Sequence, residues 1–431
     1  MSEVVIGILG TVFMFSFLAT GVEMGFAMTL VGFLGLGYLG RWDAASNQVV
    51  KDYFETFSSY GFTVIPLFVL MGQVASSSDI AKKIYASASK IVGHIPGGLA
   101  MTTVVGATFF KAMCGSSLAT CATFASIACP EMARLGYSRK LSTGVVASVG
   151  TLGILLPPCV PLIIYGLITE QSIGKLFLAG ILPALLIALF FMVVIYGWVK
   201  INPSIAPATQ EVSRMEKIKA LPDFLWVTII FLLIIGGLMA GWFSPTEAGS
   251  MGTAAVLILA YVKTKFTFKQ LIVSFEESLK TACMILTLIA GSVVFGHFLM
   301  VTQIPFITAD WIGGLGLNRN LVMVIIIVIY LLGGSIMDDL AFMIIATPIF
   351  FPAIVTLGFD PIWFGIMIGI TLMIGTIIPP VAVGVFVVKN ITGESFKVVY
   401  SGVVPFLLSL ATVAALLFVF PQIALFLPGL Q

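Results

Sequence analysis

Two apolar stretches, 97–130 and 320–356, constrain the fold of this chain more than any other feature. A helix needs roughly 20 residues to cross about 30 Å of hydrocarbon. Each stretch is too long for one crossing and short for two. Each is also interrupted by small and polar residues, at Cys114-Gly115-Ser116-Ser117 in the first and at Gly333-Gly334-Ser335 and Asp338-Asp339 in the second. This pattern predicts a re-entrant helical hairpin, whose tip can be non-helical at membrane depth only if it is buried in protein or lines a wet cavity.

Lipid is the solvent the rest of the chain demands. Charged residues are 9% of the 431 and hydrophobic ones 59%, against about a quarter charged in soluble domains. Further spans are expected at 4–22, 24–40, 61–76, 142–168, 176–199, 222–242, 248–263, 281–301, 363–388 and 398–427. The first of these is read as a span, because no basic region precedes it and no small-residue cleavage site is clear. The basic segments 78–93 and 264–280 predict amphipathic helices on the cytoplasmic surface. The polar segment 201–221 separates two halves, 1–200 and 222–431.

Charge placement supports the hairpins. Lys82, Lys83 and Lys90 precede the first, and Arg134, Arg139 and Lys140 follow it, so both flanks belong on the cytoplasmic side. Threading outward from there leaves 16 of the 21 Lys and Arg inside, opens the second hairpin to the outside and places both termini outside. The halves also match at an offset of 222 residues: Pro130 with Pro352, Leu135-Gly136 with Leu357-Gly358, Gly153 with Gly375, Pro157-Pro158 with Pro379-Pro380, Gly180 with Gly402 and Pro183 with Pro405. Gly and Pro fix turns and breaks, so a duplicated backbone retains them. The expected fold is therefore an all-α polytopic membrane protein. It has two inverted repeats, each with a hairpin and a broken helix, an arrangement of secondary transporters.

The breaks carry the chemistry. Pro frees upstream carbonyls, and with nearby hydroxyls these are hard oxygen ligands able to replace the water shell of Na⁺. Half-helix N-termini at the same places favour an anion. Asp338 and Asp339 lie in an apolar stretch, where each charge costs about 2.5–3.5 kcal/mol on insertion scales, so the pair calls for a cation, a proton or water. They can also cap the helix that follows. Lys111, one turn before the first tip, is placed to attract a carboxylate or sulfonate, or to pair with Asp338 or Asp339. Other classes fit less well. No nucleotide-binding loop in its required context is present, and neither His94 with His297 nor the five cysteines form a metal-site pattern. Nothing points to nucleic acid. An intramembrane aspartyl protease needs two facing carboxylates, whereas adjacent residues on a helix point about 100° apart. A passive channel does not need tips entering from both sides.

The run Gly93-His94-Ile95-Pro96-Gly97-Gly98-Leu99-Ala100, then Gly115-Ser116-Ser117 with Ala119-Thr120, Gly150-Thr151-Leu152-Gly153-Ile154, Pro157-Pro158 and Ser172-Ile173-Gly174, resembles one family closely. So do Pro245-Thr246-Glu247-Ala248-Gly249, Gly334 with Asp338, and Pro379-Pro380. That family is the large membrane subunit of tripartite ATP-independent periplasmic (TRAP) transporters, and the resemblance covers nearly the whole chain. It implies an inner-membrane subunit, not an enzyme, that works with a small four-helix membrane subunit and a periplasmic binding protein. It further implies Na⁺-coupled uptake of a small organic anion by an elevator motion. By motif, one Na⁺ site maps to Gly115, Ser116, Ser117, Gly150, Gly153 and Pro157, and a second to Gly334, Asp338, Gly375, Thr376 and Pro379. Substrate contacts are expected at Lys111, Ser117, Thr120 and Asp339. The sequence departs from the family where Ile378 precedes the prolines, where Ala382 stands in place of the usual Gly, and at Lys111. The alternative within the same superfamily is a carrier that works without a binding protein.

Overall fold

A computed structural model describes residues 3–18, 20–207, 213–314 and 316–430. Among these the chain is helical, with no strand. Seven helices among the described residues are long and apolar enough to cross a membrane. Residues 208–212 of the expected linker lie outside the described residues.

Both hairpins form. The first consists of Gly98–Lys111 and Ser117–Arg134, the second of Arg319–Ile336 and Asp339–Thr356, and in each the two arms pack together. The outgoing arms begin and end 222 residues apart. Each starts at a capping side chain: Ser116 Oγ accepts from Ala119 N at 3.3 Å, and Asp338 Oδ1 accepts from Leu340 N at 3.1 Å and Ala341 N at 3.3 Å. These bonds satisfy first-turn N–H groups that have no partner within the helix. The broken helices follow in the same register. Arg139–Thr151 ends in a short 3₁₀ turn before Val160–Ile168, and Pro361–Gly375 is separated from Val383–Thr392. The Pro-Pro bond in each break is cis.

The repeats are inverted. The mouth of the first hairpin, where Leu99 N donates to Tyr137 OH at 3.2 Å, adjoins Arg139 at the start of the first broken helix. Tyr165, near the far end of that broken helix, donates its hydroxyl to Pro361 O at 2.6 Å, beside the mouth of the second hairpin. The two hairpins therefore enter from opposite ends. Arg139 also meets Glu394, beyond the second broken helix, at 3.5 Å, which returns the chain to the side where it began.

Helices pack mainly within two groups. In one, Met24–Leu39 lies along Phe268–Val301, and Pro245–Lys263 lies against Val64–Ser77. In the other, the hairpins and broken helices pack with Ile173–Ile201 and Phe396–Val419. Small residues set the closest crossings, as at membrane helix interfaces generally. A Cβ on Gly402 would fall on the backbone of Lys140 and lie 3.0 Å from Gly144 Cα. Ile80–Val92 joins the groups, packing on the first hairpin while Ser87 Oγ donates to Asp223 Oδ2 at 2.6 Å and Lys83 donates to the Lys263 carbonyl.

Several expectations are corrected. Segment 264–280 is not a separate surface helix: from Phe268 onward it is the beginning of the 34-residue helix Phe268–Val301, about 51 Å long at 1.5 Å per residue. The linker is shorter than 201–221, because a helix begins at Arg214 and runs through Pro222. The last span ends at Val419. Trp42–Ser58 is an additional helix, too polar on average to read as a span. In the second hairpin, Gly333-Gly334-Ser335 is helical and only Met337-Asp338 forms the break.

Candidate ion and substrate site

The hairpin tips and the broken helices converge on one cavity. Ser117, Leu118 and Cys121 come from the first tip, and Gly150 and Thr151 from the first broken helix. Asp338 and Asp339 come from the second tip, and Thr376, Val383 and Gly384 from the second broken helix. The volume of ≈ 30 Å³ holds about two or three water-sized species, since one needs roughly 10–15 Å³ on this measure. A small ion fits this space, and an organic acid requires the walls to move apart.

The second repeat supplies the negative charge. Asp338 and Asp339 form no ion pair among the described residues. Asp339 Oδ1 accepts from Leu340 N at 3.0 Å, so both carboxylates sit at the positive end of the Asp339–Thr356 helix. Thr376 donates its hydroxyl to Met373 O at 2.9 Å, which leaves the oxygen lone pairs available. Hairpin and break touch through backbone: a Cβ on Gly375 would lie 2.9 Å from Gly334 C, 3.1 Å from its O and 3.2 Å from Ser335 N. Val381 N donates to Ser335 O at 3.2 Å. The break ends at Ala382, held at φ +47°, a left-handed conformation that favours glycine.

The first repeat is built around a cation of its own. Lys111 is 0% exposed, and its Nζ donates to Ser116 O at 2.6 Å. The same carbonyl accepts from Thr120 Oγ1 at 3.1 Å. Gly153 leaves the space for the ammonium, because a Cβ there would fall on Lys111 Nζ. Gly150 makes room in the same way for Cys121 Sγ.

Residues 11–423 match the family model described as "Tripartite ATP-independent periplasmic transporter, DctM component". The chain belongs to this family. A C4-dicarboxylate TRAP transporter large permease protein from Pseudomonas aeruginosa is 34% identical over 90% of each chain. A sialic acid TRAP transporter large permease protein from Vibrio cholerae is 31% identical over 96% of each. The crystal structure of the Alcanivorax borkumensis YdaH transporter superposes with a TM-score of 0.62 over 89% of each chain at 15% identity, a likeness of fold.

The TRAP motif positions fall into two sets. Ser117, Gly150, Asp338, Asp339 and Thr376 line the cavity. Gly115, Ser116, Gly153, Pro157, Gly334, Gly375 and Pro379 shape its surroundings without lining it. Lys111 and Thr120, expected to meet substrate, both donate to Ser116 O, and neither lines this cavity. Lys111 is also not ion-paired with Asp338 or Asp339. Leu118, Thr151, Cys121, Val383 and Gly384 are wall residues that the motif positions omit. Thr151 lies within the Gly150–Gly153 run, but nothing local in the sequence distinguishes Cys121 from a packing residue. The fit for Na⁺ differs between the halves. Two carboxylates and a threonine hydroxyl beside Asp338 suit a hard cation. Around Ser116 and Gly153 the ammonium already fills the position.

Proposed function

We propose that this chain is the ion-coupled membrane subunit of a three-component uptake system. It carries a small organic anion, a carboxylate or sulfonate, across the bacterial inner membrane together with Na⁺. The cavity carries this reading: two carboxylates with no ion pair among the described residues, hydroxyls and two helix N-termini line it where the hairpin tips converge, a set able to bind a cation and an anion side by side. The named relatives agree in class, being C4-dicarboxylate, sialic acid and isethionate permeases. Several are "large" permeases, which implies a small partner. The isethionate relative, named DctMQ, is matched over only 65% of its length, leaving room for that partner in one chain. A periplasmic binding protein delivers the substrate.

The two packing groups support an elevator motion, in which hairpins and broken helices slide as a body against the other helices while Ile80–Val92 acts as an arm. Charge placement orients the chain with both termini periplasmic. The Na⁺ gradient and membrane potential supply the energy, about 2.3 kcal/mol per inward charge per 100 mV. The test is uptake by the reconstituted three-component system. Substrate should accumulate only with Na⁺ outside, and faster at inside-negative potential. Equal uptake in Na⁺-free buffer refutes the coupling.

A further inference from the structure

The two repeats carry opposite charges at their hairpin tips, on different sides of each break. Apart from Lys111, the stretch 91–130 holds no Lys, Arg, Asp or Glu. The second repeat has Asp338 and Asp339 and no Lys or Arg between Arg319 and Lys389. At the 222-residue offset Lys111 corresponds to Gly333 and Thr120 to Phe342. A Cβ on Gly333 would fall on the Phe342 ring, so an aromatic ring occupies the side of the second tip that a lysine occupies in the first.

A helix-terminal lysine usually donates to carbonyls of its own last turn and reaches toward water. Lys111 does neither. Its ammonium crosses the break to Ser116 O, at the start of the next arm, and rests on Gly153 of the broken helix. It thus contacts both elements that a cation bound between hairpin and break would join. An ammonium is a compact point charge with three donors, suited to free carbonyls in a water-poor site.

We propose that the Lys111 ammonium is the resident cation of the first break, and that Na⁺ is bound and co-transported only on the Asp338–Thr376 side. The proposal deepens the Na⁺-coupled reading and rests on it. A tethered charge stabilises the closed tip as a bound ion does, but it travels back with the protein, so it adds no net charge movement per cycle. Its removal should make the chain recruit one more Na⁺.

Two substitutions test this in the reconstituted system. Lys111→Ala removes the charge and opens space. The Hill coefficient for Na⁺ activation should rise by about one, and one additional positive charge should enter per substrate, read from the reversal potential. Lys111→Met fills the space without charge, and uptake should fall at least tenfold at every Na⁺ concentration. A Lys111→Ala protein with the wild-type Hill coefficient and charge per substrate overturns the proposal, as does Lys111→Met with wild-type uptake. If Lys111→Ala does not fold, the Asp338→Asn/Asp339→Asn double variant decides. Its melting temperature should no longer respond to Na⁺, and a saturable response there means that Na⁺ enters the first break beside Lys111, which also overturns it. Failure of Na⁺ coupling itself is seen separately, as wild-type uptake independent of Na⁺. A Na⁺-dependent rise in melting temperature gained only in Lys111→Ala supports the resident cation even then.

Discussion

Gly375→Ala isolates the contact between the second hairpin and its broken helix. The added Cβ would meet Gly334 C at 2.9 Å, Gly334 O at 3.1 Å and Ser335 N at 3.2 Å. Carbon atoms normally pack at about 3.5–4.0 Å, so the two backbones must part by roughly half an ångström or more. Neither is the free end of a side chain, so the strain has no easy outlet. Overpacking of this kind costs about 1–3 kcal/mol, and the cost falls on the state in which Asp338 and Thr376 face one cation. At about 1.4 kcal/mol per factor of ten, the Na⁺ concentration for half-maximal uptake should rise about 5- to 150-fold. The assay is the Na⁺ dependence of initial uptake in proteoliposomes. Gly197→Ala serves as control, because a Cβ there meets nothing within 4 Å. It should leave uptake unchanged. A folded Gly375→Ala protein with half-maximal Na⁺ within twofold of wild type refutes the claim that this contact builds the cation site.

Two further outcomes concern stability. Gly402→Ala drives a Cβ into the Lys140 carbonyl and to 3.0 Å from Gly144 Cα, so it should destabilise the protein by about 3 kcal/mol, seen as a lowered melting temperature and reduced yield. Ala382→Gly removes a Cβ from a residue at φ +47°. Relief of a left-handed conformation worth about 1–2 kcal/mol, less the entropy glycine adds to the unfolded chain, should leave the melting temperature equal or higher.

The parts legible in the sequence were those with a local signal. Ser116 and Asp338 stand out because a polar residue in an apolar run must cap, bind or meet water. The Gly and Pro matches revealed the repeat because they fix backbone shape. Orientation was not legible. The sequence leaves the partner of Lys111 open between substrate and carboxylate, because spacing along a helix says nothing about which distant glycine leaves room for its head, and Gly153 lies on another element. Glycine commonly marks a break, so Gly334 reads as part of the tip, yet its value here is close approach to Gly375. Trp42–Ser58 gives no span signal because it is amphipathic and partly polar, with Asp52 buried against His297 at 2.8 Å. Segment 264–280 read as a surface helix because its charges resemble an interfacial face, whereas the chain continues straight into the next span.

The central claim is that the meeting point of the hairpins binds Na⁺ through the second-repeat carboxylates. It is tested most directly on the purified chain without substrate, by titrating its melting temperature with NaCl against equal choline chloride. Ligand at ten times its Kd stabilises a protein by about 1.4 kcal/mol, so the wild-type melting temperature should rise saturably with Na⁺. Asp338→Asn retains an oxygen able to cap the helix but lacks the charge, and its response should shift to much higher Na⁺ or vanish. The same Na⁺ titration in wild type and Asp338→Asn, or none in wild type, would contradict the account.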